Sequence, residues 1–280
     1  MMRSISKILF IETIKEMFIT SAISLDKQVL DKIRQGANNE TSTLSKSILE
    51  SILENHEIAK NEGIPLCQDT GIAVVFLEIG NQVFLDFDVE DAVNEAVRLA
   101  YEEGYLRKSV VLHPLNRKNT LDNTPAIIHT KIVGGDTLSI HIAPKGAGSE
   151  NMSRLAMLSP SAGIEGVKKF VLETVLLAGG KPCPPIILGI GIGGNFEKCA
   201  ILAKEAIFRP IEDEALNPID NALEKELLEL VNGLNVGPMG LGGKTTCLAV
   251  KVNSFSCHIA SLPVAVNIQC HSARKSHKVL

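Results

Sequence analysis

One stretch constrains the fold more than any other. Residues 185–192 read Pro-Ile-Ile-Leu-Gly-Ile-Gly-Ile, glycines follow at 193 and 194, and a helix-like segment occupies 196–208. A run this short cannot cross a bilayer, which takes about 20 apolar residues. It reads instead as a strand that ends in a glycine loop at 189–194 and opens a helix. A strand feeding a helix predicts an α/β protein.

The N-terminal 60 residues carry a different pattern. Ile5, Ile8, Leu9, Ile11 and Ile14 recur at helical spacing, and Leu44, Ile48, Leu49, Ile52 and Leu53 repeat it. Residues 24–35 form a short helix between them, with Ser24 as its N-cap. From residue 61 apolar runs are punctuated by glycine. Residues 71–80 and 81–87 read as strands, and 88–104 as a helix with an acidic start and a glycine stop. Residues 127–133 and 137–143 flank Gly134-Gly135-Asp136, and Leu138, Ile140 and Ile142 alternate with Ser139 and His141, which predicts a hairpin. Glycine-rich loops at 145–151 and 237–243, helices at 161–178 and 217–232, and a strand at 245–252 complete the reading. The expected architecture is a helical N-terminal part, residues 1–60, packed on a mixed α/β core, residues 61–280, as one continuous domain.

Composition narrows the function. The 280 residues include 28 Lys and Arg against 32 Asp and Glu, a net charge of −4, with no Trp and two Tyr. Such a chain has neither the basic excess to grip a phosphate backbone nor the aromatics to stack bases, so no nucleic-acid partner is expected. Lys7, Glu12, Lys15 and Glu16 break the apolar start, which predicts neither signal peptide nor membrane span. The expected location is cytoplasmic, where the six cysteines stay reduced and serve as core residues, catalytic thiols or metal ligands.

Three motifs mislead. Gly189-Ile-Gly191-Ile-Gly193-Gly194 satisfies the dinucleotide fingerprint, and Glu212 lies about 20 residues on. An NAD-linked oxidoreductase is therefore the main rival reading, although the acid does not end a second apolar strand. Gly240-Leu-Gly242-Gly243-Lys244-Thr245 resembles a P-loop but has Pro238 where its first glycine belongs. Asp69-Thr70-Gly71 resembles an aspartic-protease signature but has no second copy to share the proton.

No Cys-x-x-Cys pair exists among Cys67, Cys183, Cys199, Cys247, Cys257 and Cys270, which argues against a ribbon-type zinc site. Cys199 and Cys247 sit in helix and strand patterns and read as small core residues. Cys257 reads as structural as well. Cys67 stands before the polar turn Gln68-Asp69-Thr70-Gly71, Cys183 is framed by Pro182 and Pro184-Pro185, and Cys270 ends an apolar run. Three thiolates on stiff turns suit an iron–sulfur cluster, and because full ligation takes four cysteines, one iron would stay open.

Together, Pro65-Leu-Cys-Gln-Asp-Thr-Gly71, Lys145-Gly-Ala-Gly-Ser-Glu-Asn151, Pro182-Cys-Pro-Pro185 with Gly189–Gly194, and the segment His258 to His271 are informative. They resemble the class I, iron–sulfur-dependent fumarate hydratases and L(+)-tartrate dehydratases. The likeness runs from about residue 5 to the C-terminus, in the family's order, and matches the α subunit or the N-terminal half of single-chain forms.

That resemblance implies a hydro-lyase α-type catalytic domain. It implies a [4Fe-4S] cluster on Cys67, Cys183 and Cys270 with one open iron. It makes Asp69 the acid–base residue and Gln68, Arg107, Gly146, Gly148 and His258 substrate contacts. His271 and Arg274, directly after Cys270, become candidate donors to the cluster. These roles are chemically reasonable: an open iron polarises a hydroxyl, a carboxyl group moves a proton, and an arginine fork holds a carboxylate. The expected reaction is reversible hydration of fumarate to L-malate, a tricarboxylic acid cycle step, with tartrate dehydration as the alternative. The family's remaining substrate-binding residues lie in a second half that this chain lacks. A separate β subunit is therefore expected, in an α2β2 heterotetramer, with a homo-oligomer of this chain as the other arrangement.

Overall fold

The computed structural model describes residues 2–280 and shows a mixed α/β protein. In chain order the elements are β1 (Arg3–Ser4), α1 (Lys7–Ile23), α2 (Lys27–Asn39), α3 (Thr43–Glu62), β2 (Ile72–Gly80), β3 (Val83–Phe84), α4 (Val89–Glu103), β4 (Ile127–Val133) and β5 (Leu138–Lys145). They continue with α5 (Ala147–Glu150), β6 (Arg154–Leu158), α6 (Gly163–Ala178), β7 (Ile186–Gly194), α7 (Phe196–Ala206), α8 (Pro218–Gly233), β8 (Cys247–Cys257), β9 (Leu262–Gln269) and β10 (Ser276–Val279). No helix among the described residues is long and apolar enough to cross a membrane.

The chain divides into two compact units, each with its own core. The first comprises the residues up to Leu25, Asn55–Ala147 and Arg274–Leu280. Its sheet has the order β10-β5-β2-β4. Helix α1 starts where Ser6 accepts from the Leu9 N–H, and α4 starts where Asp88 accepts from the Asp91 N–H. The side-chain oxygens satisfy donors that the first helical turn leaves open. Ala92, Val93, Ala96, Val97, Ala100 and Tyr101 form the buried stripe of α4, which packs with Phe10, Ile14 and Phe18 of α1. Such a stripe, rather than intrinsic propensity, supplies most of a helix's stability.

Three local expectations change here. The predicted hairpin is split: β2 lies between β4 and β5, parallel to β4 and antiparallel to β5. Strand β2 is the more apolar partner, and the 134–136 turn arches over its end through Gly80 N–H to Thr137 O (2.9 Å) and Gln82 N–H to Gly135 O (2.9 Å). Alternation along β5 identified its buried face but carried no information about which strand lies beside it. The strand expected at 81–87 shrinks to Val83–Phe84. Ser24 is the C-cap of α1, and Asp26 caps α2 by accepting from the Gln28 N–H.

The second unit comprises Asp26–Glu54 and Gly148–Ala273, with sheet order β6-β9-β7-β8. Strand β7 is parallel to β8 and antiparallel to β9. The glycines expected to form a loop at 189–194 lie inside β7. A Cβ at Gly191 would sit 1.9 Å from the Cys199 carbonyl oxygen, and one at Gly189 would sit 2.2 Å from that of Ala203. These glycines let the backbone of α7 rest directly on the strand, which is a packing role.

Candidate active site

In the first unit the Leu66–Gly71 turn is anchored at Leu66, Asp69, Thr70 and Gly71. Leu66 N–H donates to Ala22 O (2.9 Å), and Asn55 Nδ2 donates to Leu66 O (3.0 Å). Asp69 is held three times. Its Oδ1 accepts from the Gly71 N–H (3.1 Å), its Oδ2 from the Ala147 N–H (2.8 Å), and its carbonyl from Arg274 Nη2 (2.7 Å). Two N–H donors on one carboxylate fix its plane. Gly71 takes φ +76, and a Cβ there would lie 2.4 Å from the Lys145 carbonyl, so only glycine lets the turn approach the 145–147 loop. Gly146 is buried on the same side, where a Cβ would lie 3.0 Å from Asp69 Oδ2.

Beneath the turn, Tyr101 donates its hydroxyl toward the carbonyls of Thr70 and Gly71, both at 2.9 Å. Burial holds this phenol well above its usual range, while Arg274 pulls it down and Asp69 pushes it up. Thr70 Oγ1 donates to the Arg107 carbonyl (3.1 Å), so the turn and the Arg107 segment are tied together. Buried Asn123 accepts from the Ser109 N–H (2.7 Å) and donates to Gly71 O (3.2 Å). Arg107 and Gln68 are exposed and Cys67 is partly exposed. The first unit thus gathers Cys67, Gln68, Asp69, Arg107 and Gly146.

In the second unit the antiparallel pairing of β7 with β9 places Ile187 opposite Gln269. The residues just outside that pair, Cys183 before β7 and Cys270 after β9, therefore share one end of the sheet. Cys183 takes φ +54, a conformation that side chains other than glycine adopt at a cost of about 1–3 kcal/mol. Its N–H donates to Gly180 O (3.0 Å), and its carbonyl accepts from His271 Nδ1 (2.9 Å). Gln269 Nε2 donates to Cys270 Sγ (3.6 Å) and to Ser272 O (3.1 Å).

His258 is not gathered with them. It lies after Cys257, which pairs with Gly194 at the opposite end of β7, and nine strand residues separate the two ends by roughly 25 Å. It sits exposed in the turn between β8 and β9, where its Nδ1 accepts from the Ala260 N–H (3.1 Å). Gly148 is exposed at the start of the second unit's long segment. Beside it Glu150 is anchored in a half-buried cluster, accepting from Lys204 Nζ (2.5 Å) and from Asn267 Nδ2 (2.9 Å). Burial lowers the Lys204 pKa and Glu150 opposes that shift.

The six cysteines are free thiols. Burial raises the Cys199 thiol and pushes Cys247 up to about 12, which suits inert core residues. Cys67, Cys183 and Cys270 all retain exposure, as does Cys257, and an accessible thiol can ionise to a metal-binding thiolate. No three His, Cys, Asp or Glu side chains among the described residues gather around a single metal ion. Tyr101, Asn123 and Thr70 were missed in the sequence, where each looks like an ordinary helix or turn residue.

Comparison with known proteins places the chain as a whole. A model of the family fumarate hydratase (Fumerase) matches residues 11–279. A Methanocaldococcus jannaschii protein named "Putative L(+)-tartrate dehydratase subunit alpha" is 44% identical over 274 residues, covering 95% of this chain and 96% of the relative. The L(+)-tartrate dehydratase subunit alpha of Escherichia coli K12 is 33% identical over 250 residues, covering 88% and 82%. The family model and these relatives define an enzyme of the hydro-lyase class. The chain belongs to the Fumerase family.

Proposed function

We propose that this chain is the α subunit of an iron–sulfur hydro-lyase that acts on a four-carbon dicarboxylate and works with a separate β subunit. The observation that carries the reading is Asp69. It is a carboxylate fixed by two main-chain N–H groups, two residues from Cys67 and coupled through Thr70 to Arg107. L(+)-tartrate is the preferred substrate, because relatives at 44% and 33% identity carry that name. Fumarate, the sequence expectation, is the second reading and is supported by the family description.

Cys67, Cys183 and Cys270 would hold a [4Fe-4S] cluster. When bound, its open iron supplies a Lewis acid for the departing or arriving hydroxyl. Arg107 offers a planar fork to one substrate carboxylate. The buried Gly146 backbone and the exposed Gln68 amide add polar contacts without charge. Asp69 Oδ takes the proton from the carbon next to the one that loses its hydroxyl and returns it in hydration. With a net charge of −4, binding a dianion calls for a local cation such as Arg107, and the β subunit would supply more. His258 has no assigned part alongside the cysteines of its own chain.

The test is anaerobic reconstitution with iron and sulfide. About four irons per chain are expected, falling sharply in C67S, C183S and C270S and unchanged in C199S and C257S. Full iron content in C183S would overturn the ligand set.

A further inference from the structure

Arg274 is an unusual residue for its place. It is only 2% exposed, yet among the described residues its side chain makes one hydrogen bond, from Nη2 to the Asp69 main-chain carbonyl. Its Nε and Nη1 are buried without a partner, and no carboxylate among the described residues pairs with it. A guanidinium taken out of water without an ion-pair partner costs several kcal/mol, and buried polar atoms left unpaired are few in native proteins. A core could dispense with such a group, so its retention calls for a role.

The surroundings indicate that role. The guanidinium sits beside Gly146, where a Cβ would lie 3.5 Å from Nη2 and 3.0 Å from Asp69 Oδ2. The Tyr101 hydroxyl under the turn responds to both Arg274 and Asp69, so the two charges share one buried neighbourhood. We propose that Arg274 is the positioning residue for Asp69. It holds the main chain of the turn, so that the two N–H donors from Gly71 and Ala147 fix the carboxylate in one orientation. Its charge offsets that of the carboxylate without the contact to the carboxylate oxygens that would block proton transfer. The role of Asp69 as acid–base group is the reading given above, and this inference rests on it.

The experiment compares R274M, R274Q and R274K in the assembled, iron-loaded enzyme. Misplacing a reacting group by about 1 Å can cost about 100-fold, so R274M and R274Q should lose roughly 10–100-fold in kcat with KM nearly unchanged and iron content intact. R274K keeps the charge and one donor and should recover part of the loss. The second readout does not need turnover. Hydrogen exchange at the Gly71 and Ala147 amides should accelerate at least about tenfold in R274M, because both bonds to Asp69 loosen. The control is K278A on β10, which removes only a surface pair with Glu16 and should change neither readout.

Unchanged kcat and exchange in R274M would overturn the proposal. So would a loss of iron matching the loss of rate, or an R274K protein no better than R274M. If R274M fails to fold, R274K against R274Q decides the question. If the parent enzyme turns over no dicarboxylate, the functional reading fails, while the exchange result still judges Arg274.

Discussion

His271 reaches the Cys183 carbonyl twice, through Nδ1 at 2.9 Å and through its main-chain N–H at 3.4 Å. A carbonyl only accepts, so Nδ1 carries a proton, and the residue after Cys270 clasps the loop of Cys183. H271A should therefore release iron to a chelator several-fold faster than the parent while losing little helix content. Equal release rates would show that the clasp does not serve the cysteines.

Asp69→Asn keeps the size of the side chain and one acceptor oxygen, gives up one of the two N–H bonds from Gly71 and Ala147, and removes the base. It should retain full iron content and lose about 10²–10⁴ in kcat. A rate close to the parent's would place proton transfer on another group.

Gly191→Ala tests what the glycine motif is for. The new methyl would meet the Cys199 carbonyl oxygen at 1.9 Å and the Ala203 nitrogen at 2.6 Å, both main-chain atoms that cannot turn aside. Overpacking of this kind costs about 1–3 kcal/mol, read as a lower thermal midpoint. NAD should bind neither protein. NAD binding to the parent, abolished by the substitution, would restore the dinucleotide reading.

The first sheet predicts an acid-sensitive edge. His141 stacks on His277 at 4.1 Å, and Ser139 Oγ bonds the Nε2 of each ring. Burial first, then the charge of His277, lowers the pKa of His141 below its ordinary 6.5; Lys275 acts the same way and Glu78 opposes. The unfolded chain therefore takes up this proton before the folded one does. The stability is fully present above about pH 6.5 and erodes as pH falls below it. Thermal unfolding at pH 7.5 and 5.5 should show this loss, and H141Q should shrink it. An identical loss in H141Q would assign the effect elsewhere.

What the sequence revealed depends on how local each cause is. Asp88 and Gly104 bound α4 as expected, because capping is decided within one turn of chain. The split hairpin escaped because strand order is decided by long-range burial, and Gly134-Gly135 suits an arch over β2 as well as a tight turn. Gly189 and Gly191 make room for a neighbouring helix that only the fold supplies, and Gly193 for the Phe255 carbonyl of β8. Cys183 and Cys270 are 87 residues apart, and antiparallel pairing of β7 and β9 brings their loops to one end of the sheet. The same strand geometry sends His258 to the other end. Arg274 was visible only as a cation after Cys270. Its bond to the Asp69 carbonyl spans 205 residues and leaves no trace in local pattern.

The most direct measurement is an anaerobic assay of the iron-loaded chain, alone and combined with its β subunit, against L(+)-tartrate, D-tartrate, L-malate and fumarate. The account predicts turnover of L(+)-tartrate at least about tenfold above the other three in kcat/KM, little turnover by the chain alone, and loss of activity with the iron. An iron-loaded pair that dehydrates or hydrates none of these dicarboxylates, or a chain fully active without iron or partner, would contradict it.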